Sequence, residues 1–169
     1  MILGVHSATF VKNWHEDITP YIHKCKKAGY KSVEVSLLGQ TPSSAKEIAK
    51  LANDLNITLT CTTGLSKDED ISSNNKLIQK NGVEALKKAI ELTSIMEANL
   101  LTGVVHAAWG ISSSQGKNKE AKFKNSSQCI KKISSSLIEK DIKLGIEPLN
   151  RYESDFINTV DEGLKPVSY

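Results

Sequence analysis

Arginine is almost missing from this chain, aromatic residues make up only 5% of it, and its cysteines number three. Each shortage excludes something. The net charge of +3 rests on lysines spread along the chain, such as Lys24, Lys26 and Lys27 or Lys117, Lys119, Lys122 and Lys124. Without arginines and interleaved aromatics this pattern reads as a solvated face and not as a nucleic-acid interface. Cys25, Cys61 and Cys129 form an odd, scattered set with no Cys-x-x-Cys pair. That removes a disulfide framework and a structural zinc site, makes a reducing cytoplasm the expected compartment, and leaves Cys61 as a small core hydrophobe. No apolar run approaches the ~20 residues of a membrane span, and the stretch Met1–His6 has neither the basic region nor the long apolar core of an export signal. No Gly-x-Gly-x-x-Gly or Gly-x-x-x-x-Gly-Lys-Ser/Thr follows any apolar run, so the nucleotide-binding signatures are absent as well.

What is present alternates. With 169 residues, 39% hydrophobic and 24% charged, the chain fits one domain around one core. Ile2–Ser7 reads as a strand, and from Asn13 to Ala28 the spacing of Ile18, Ile22 and Cys25 predicts a helix closed by Gly29. Val33–Leu38 is a second strand; Ser44 and Glu47 form a capping box for a helix with Ile48, Ala52 and Leu55 on one face. Ile57–Thr62 is a β-branched third strand, followed by a polar loop over Ser66–Asn75 and a helix to about Ala98 with Leu86, Ile90 and Thr93 in register. Leu100–His106 is a fourth strand, a Gly/Ser-rich loop runs from Trp109 to about Gly116, Ile130, Ile133 and Leu137 mark one helix, and Ile142–Ile146 is a fifth strand. Nearly apolar strands, each followed by an amphipathic helix, predict an α/β fold with a parallel sheet. A doubly wound sheet and a (β/α)8 barrel both satisfy that pattern, and periodicity leaves the choice open.

Chemistry gathers just after the strands. Glu147 leaves the apolar run Lys143–Ile146 immediately before Pro148, and Glu153 follows six residues later with Arg151 between them. Two carboxylates at one strand end, with a cation to hold them, suit proton abstraction or binding of a hard metal ion. Glu147 capping a helix or pairing with Arg151 is the plainer alternative. Glu34 leaves the second strand much as Glu147 leaves the fifth, so it can face the same space. Trp14 and Trp109, on sequence alone, read as amphipathic residues covering a core edge. His106 is either a hydrogen-bonded structural histidine or a pocket residue, whereas His15 and His23, on the first helix, read as solvated.

The segment Glu147-Pro148-Leu149-Asn150-Arg151-Tyr152-Glu153 followed by Asn158-Thr159 resembles the Glu-x-x-Asn-Arg-Phe/Tyr-Glu…Asn-Thr motif of the ketose 3-epimerases, xylose-isomerase-like TIM barrels. Cys61-Thr62-Thr63-Gly64-Leu65, Asp70-Ile71-Ser72-Ser73, Gly103 to Trp109 and Trp14 resemble further strand exits and loops of that family, so the resemblance covers the whole chain. It implies a metal-dependent isomerase that inverts C3 of a free ketose, of the D-tagatose or D-psicose type, through an enediolate. On that reading Glu147 binds a divalent ion, manganese or alternatively magnesium or cobalt, and takes the proton. Glu153 binds the carbonyl end of the substrate, and His6, Trp14, Thr62 and Trp109 build the pocket wall. His6 stands where the family usually has an aromatic.

A closed barrel needs eight strands and typically ~250 residues. The expectation is therefore a partial, unclosed barrel of about five βα units over residues 1–169, truncated at its C-terminus. The family's other metal ligands, an aspartate, a histidine and a second glutamate, would lie beyond it, so the ion is expected to be weakly bound and activity impaired. A small-molecule ketose is the expected ligand, with neither nucleic acid nor membrane as partner and a homo-oligomer possible. The alternative is a non-catalytic partial barrel that binds sugar or a partner chain. A different sugar or sugar-phosphate isomerase of the same superfamily is more distant. Trp14, Thr62 and Trp109 are expected around one concavity with Glu147 at its floor.

Overall fold

The computed structural model describes residues 2–110 and 119–168. The expected Gly/Ser-rich loop lies, over residues 111–116, outside the described residues. Five strands form one sheet: β1 (Gly4–His6), β2 (Ser32–Ser36), β3 (Thr58–Leu65), β4 (Leu100–Ala108) and β5 (Lys143–Leu144). Their order is β1-β2-β3-β4-β5 and every neighbouring pair is parallel. A sequential order with no reversal is barrel topology; a doubly wound sheet reverses direction at its switch point. The sheet is open, since β1 pairs only with β2 and β5 only with β4 among the described residues.

Helices α1 (Thr19–Lys27), α2 (Pro42–Asp54), α3 (Lys76–Ile95), α4 (Lys119–Lys131), α5 (Ser134–Glu139) and α6 (Val160–Ser168) provide the outer layer. Ile22 and Cys25 of α1, Ile48 and Ala52 of α2, and Leu86 and Ile90 of α3 bury against Val33, Val35, Leu59 and Leu101 of the sheet. Each fully buried aliphatic side chain of this kind contributes about 1.5–3 kcal/mol. A second, smaller cluster joins Ala107 to Phe123, Phe156 and Ile157 beneath the segment after β5.

Several boundaries differ from the sequence reading, each for a local reason. The first helix begins at Thr19, not Asn13. Asn13 Oδ1 accepts from the His15 amide and Asp17 Oδ1 from the Thr19 amide, so short polar side chains turn the backbone before the helix starts. Pro20 then sits in the first turn, where no amide donor is needed. His15 is thereby in a loop and not on the helix, although exposed as expected; His23, on α1, is exposed too.

The capping box is Thr41 with Ser44, and not Ser44 with Glu47: Thr41 Oγ1 accepts from the Ser44 amide at 3.2 Å and Ser44 Oγ from the Thr41 amide at 2.9 Å. The single helix expected around Ile130, Ile133 and Leu137 is two, α4 and α5. Lys132 and Ile133 make tight three-residue bonds back to Cys129 and Ile130, and Ser134 Oγ bonds Lys131 O, which breaks the helix at a run of poor helix formers. The β5 ladder is only Lys143–Leu144, yet Gly145 N–H and Glu147 N–H still reach Leu101 O at 2.8 Å and Gly103 O at 3.1 Å. Pairing thus runs up to Glu147, and Pro148 ends it.

Candidate active site

Strand ends of a parallel sheet share one edge, and the parallel ladder here puts His6 beside Glu34, and Ser36 beside Thr62 beside Thr102. A cavity of about 440 Å³ opens at that edge. Its lining includes His6, Trp14, Thr62, Trp109, Glu147 and Glu153, so all six residues singled out from the sequence meet there. Glu34, Thr102 and Gly145 line it too. The volume suits a small molecule.

Glu147 lines the cavity but is solvent-exposed, so it is not the buried floor that was expected. Gly145, two residues earlier on the same strand, lies beside Thr102, where an added Cβ would come within 3.0 Å of Thr102 Cγ2. Glu147 has no side-chain hydrogen bond or ion pair among the described residues, so the plainer reading, a pair with Arg151, is not what holds it.

Glu153 is held differently from the expected cation clamp. Its Oε1 accepts from Trp109 Nε1 at 3.4 Å, its Oε2 takes a close contact from Asn150 Nδ2, and its amide donates to Asn150 Oδ1 at 3.1 Å. Asn150 also accepts from the Tyr152 amide at 2.9 Å, making a side-chain-closed turn. Asn158 Nδ2 donates to Leu149 O at 2.9 Å and Ser154 O at 2.8 Å, tying both ends of the loop. The two asparagines of the motif are thus the scaffold of the loop that carries Glu153. Arg151 is exposed and makes no ion pair among the described residues.

The aromatic wall is continuous. His6 meets Trp14 edge to face at 5.9 Å, and Trp14 meets Trp109 at 5.6 Å. Trp109 lies over Gly64, where an added methyl would stand 3.4 Å from its ring. Glu34, expected to leave the second strand, sits instead in the middle of β2, with ladder partners on both sides, and accepts from Thr102 Oγ1 at 2.7 Å. Thr102 itself was missed, because its partnership with Glu34 depends on strand register.

His106 is not part of this wall. It is fully buried against Phe156, with neither ring nitrogen hydrogen-bonded among the described residues. Burial pulls its pKa down to about 4, with the nearby Asp70 charge opposing. Cys61, as expected, is core: burial pushes its thiol up to about 12. Among the described residues no helix is long and apolar enough to cross a membrane.

The sequence profile described as the xylose isomerase-like TIM barrel matches residues 22–168. The chain is 28% identical over 164 residues to D-psicose 3-epimerase of Agrobacterium fabrum, covering 95% of this chain and 57% of that protein. It is 25% identical over 163 residues to L-ribulose 3-epimerase of Mesorhizobium japonicum, covering 96% and 54%. Among solved structures, a D-psicose 3-epimerase crystallised in the presence of D-fructose superposes with a TM-score of 0.91 at 27% identity, over 99% of this chain and 59% of that one. The chain spans a little over half the length of the relatives it matches, and its open five-stranded sheet is a partial TIM barrel.

Proposed function

The chain belongs to the xylose isomerase-like TIM barrel family, and from that premise we propose that its cavity is a ketose site of the 3-epimerase type. Glu147 takes the proton from C3 of a free ketose such as D-tagatose or D-psicose, which leaves an enediolate. Glu153 hydrogen-bonds the carbonyl end of the sugar, while His6, Trp14, Thr62 and Trp109 enclose the remainder. One observation carries this reading: the Glu147 carboxylate, without a side-chain partner among the described residues, and the anchored Glu153 carboxylate both line the same aromatic-walled cavity. A carboxylate with no ion-pair partner keeps its lone pairs for an incoming C–H or O–H.

An enediolate needs its charge stabilised, and a divalent cation, manganese or alternatively magnesium or cobalt, belongs to the proposal. The described residues do not by themselves fit a firm site for it. Glu147 offers one carboxylate, and no group of three His, Cys, Asp or Glu side chains converges among the described residues. Hard divalent ions take several oxygen donors, so these residues alone hold one weakly. The 169-residue chain is therefore expected to epimerise poorly or not at all by itself. A second reading is a partial barrel that binds sugar or another chain, since among the described residues β1 and β5 each have a neighbour on one side.

The test is incubation of the chain with D-fructose or D-tagatose and manganese, with chromatography for the C3 epimer and a Glu147→Gln control. The proposal expects traces of epimer at most, dependent on Glu147. Robust epimerisation indifferent to Glu147→Gln would contradict the assignment of the base, and robust epimerisation abolished by it would overturn the expectation of weak activity.

A further inference from the structure

We propose that His6 and Glu34 form a hydroxyl cradle in the cavity, a fixed donor–acceptor pair that receives one alcohol group of a polyhydroxylated ligand and makes Glu34 a specificity-determining residue. The proposal takes only the ligand's identity from the ketose reading; the cradle stands on geometry.

His6 Nδ1 accepts the Ala8 amide at 2.9 Å. An amide only donates, so Nδ1 carries the lone pair and the neutral ring bears its hydrogen on Nε2. The edge-on contact with Trp14, at 5.9 Å and 89°, fixes the ring plane. Across the ladder Glu34 is equally committed: Oε1 accepts from Thr102 Oγ1 at 2.7 Å, leaving Oε2 to face His6. His6 and Glu34 are register partners on β1 and β2, and paired residues of a parallel ladder point to the same side.

The free atoms, Nε2 and Oε2, are 3.8 Å apart, with each side chain 32% exposed. That gap is too long for a direct hydrogen bond. One oxygen placed ~2.8 Å from each atom would subtend an angle of roughly 85°, open to a bridging group. The bridging group must accept from Nε2–H and donate to a carboxylate. A hydroxyl does both. A phosphate or carboxylate would be repelled by Glu34, and an ammonium has no lone pair for Nε2–H. A phenylalanine at position 6, the residue class the family resemblance leads one to expect, would remove the donor and with it the cradle.

The experiment labels the four histidines with 15N and follows His6 in long-range 1H–15N spectra while D-fructose, D-tagatose and glycerol are titrated. The free protein is expected to show His6 as the Nε2–H tautomer, with a saturable shift of Nε2 on adding ketose. Glu34→Gln and His6→Phe, followed at the tryptophan indoles, should each weaken ketose binding about tenfold. Ketose binding that moves the indoles, leaves His6 Nε2 unmoved and is unchanged in Glu34→Gln would overturn the cradle and spare the ketose reading. A shift with glycerol and none with either ketose would support the cradle and defeat that reading. No response of Nε2 to any of the three overturns the cradle, whatever the variants do.

Discussion

The rings of Trp14 and Trp109 meet edge to face, centroids 5.6 Å apart and planes at 78°, although they come from the loops after β1 and β4. Each of the two residues is about a third exposed and lines the cavity, so the contact is not core. Trp109→Ala removes this pair, the packing over Gly64 and the bond to Glu153 together. A loss of about 1–2 kcal/mol in urea unfolding is expected, because an aromatic pair adds ~0.5–1.5 kcal/mol to the area it buries.

Gly103 carries a sharper constraint. Its φ is +110°, and an added Cβ would collide with the Thr63 carbonyl on β3. Gly103→Ala should destabilise the protein by more than about 2 kcal/mol, combining left-handed strain with steric conflict. Gly29→Ala is the matched control, since Gly29 has φ +91° with nothing within 4 Å. It carries the strain alone, ~1 kcal/mol. Comparable urea midpoints for the two variants would contradict this account.

His106 predicts a pH slope. Its folded pKa is about 4, below the ordinary 6.5, so the unfolded chain binds the proton more readily than the native one. The native state has its full stability from this group above pH 6.5 and loses it as pH falls toward 4, by up to roughly 3 kcal/mol. His106→Phe keeps an aromatic beside Phe156 and removes two unpartnered nitrogens. It should flatten the stability profile between pH 4 and 6.5 while leaving neutral-pH stability equal or higher by up to about 1 kcal/mol.

The alternation of strands and helices was legible because each strand is an apolar run and each helix has a buried stripe, such as Leu86, Ile90 and Thr93 on α3. The strand-end positions of Glu147 and Trp109 followed from the same pattern, whereas Thr62, read as the end of the third strand, lies inside β3, which runs on to Leu65; the cavity brings all three together with Glu153, His6 and Trp14. What escaped was set by side-chain competition or by register. Asn13 and Asp17 unwind a stretch whose apolar spacing still reads as helix. Ser44 can be N-cap or third residue of a capping box, and only Pro42 in the first turn decides. Glu34 meets Thr102 across two strand ladders, which no local pattern encodes. Loop scaffolding by Asn150 and Asn158 was likewise hidden inside a motif whose conspicuous member, Arg151, holds neither carboxylate in an ion pair among the described residues.

The most direct measurement uses the fact that the chain has two tryptophans, both lining the cavity. Their indole N–H signals in a 1H–15N spectrum report on that cavity alone. On titration with D-fructose both are predicted to shift together and saturate with one dissociation constant, which Glu153→Gln raises about tenfold, as expected for a lost charge-assisted bond. Two unmoved indoles in the folded protein at saturating sugar would contradict the claim that this cavity is a ketose site.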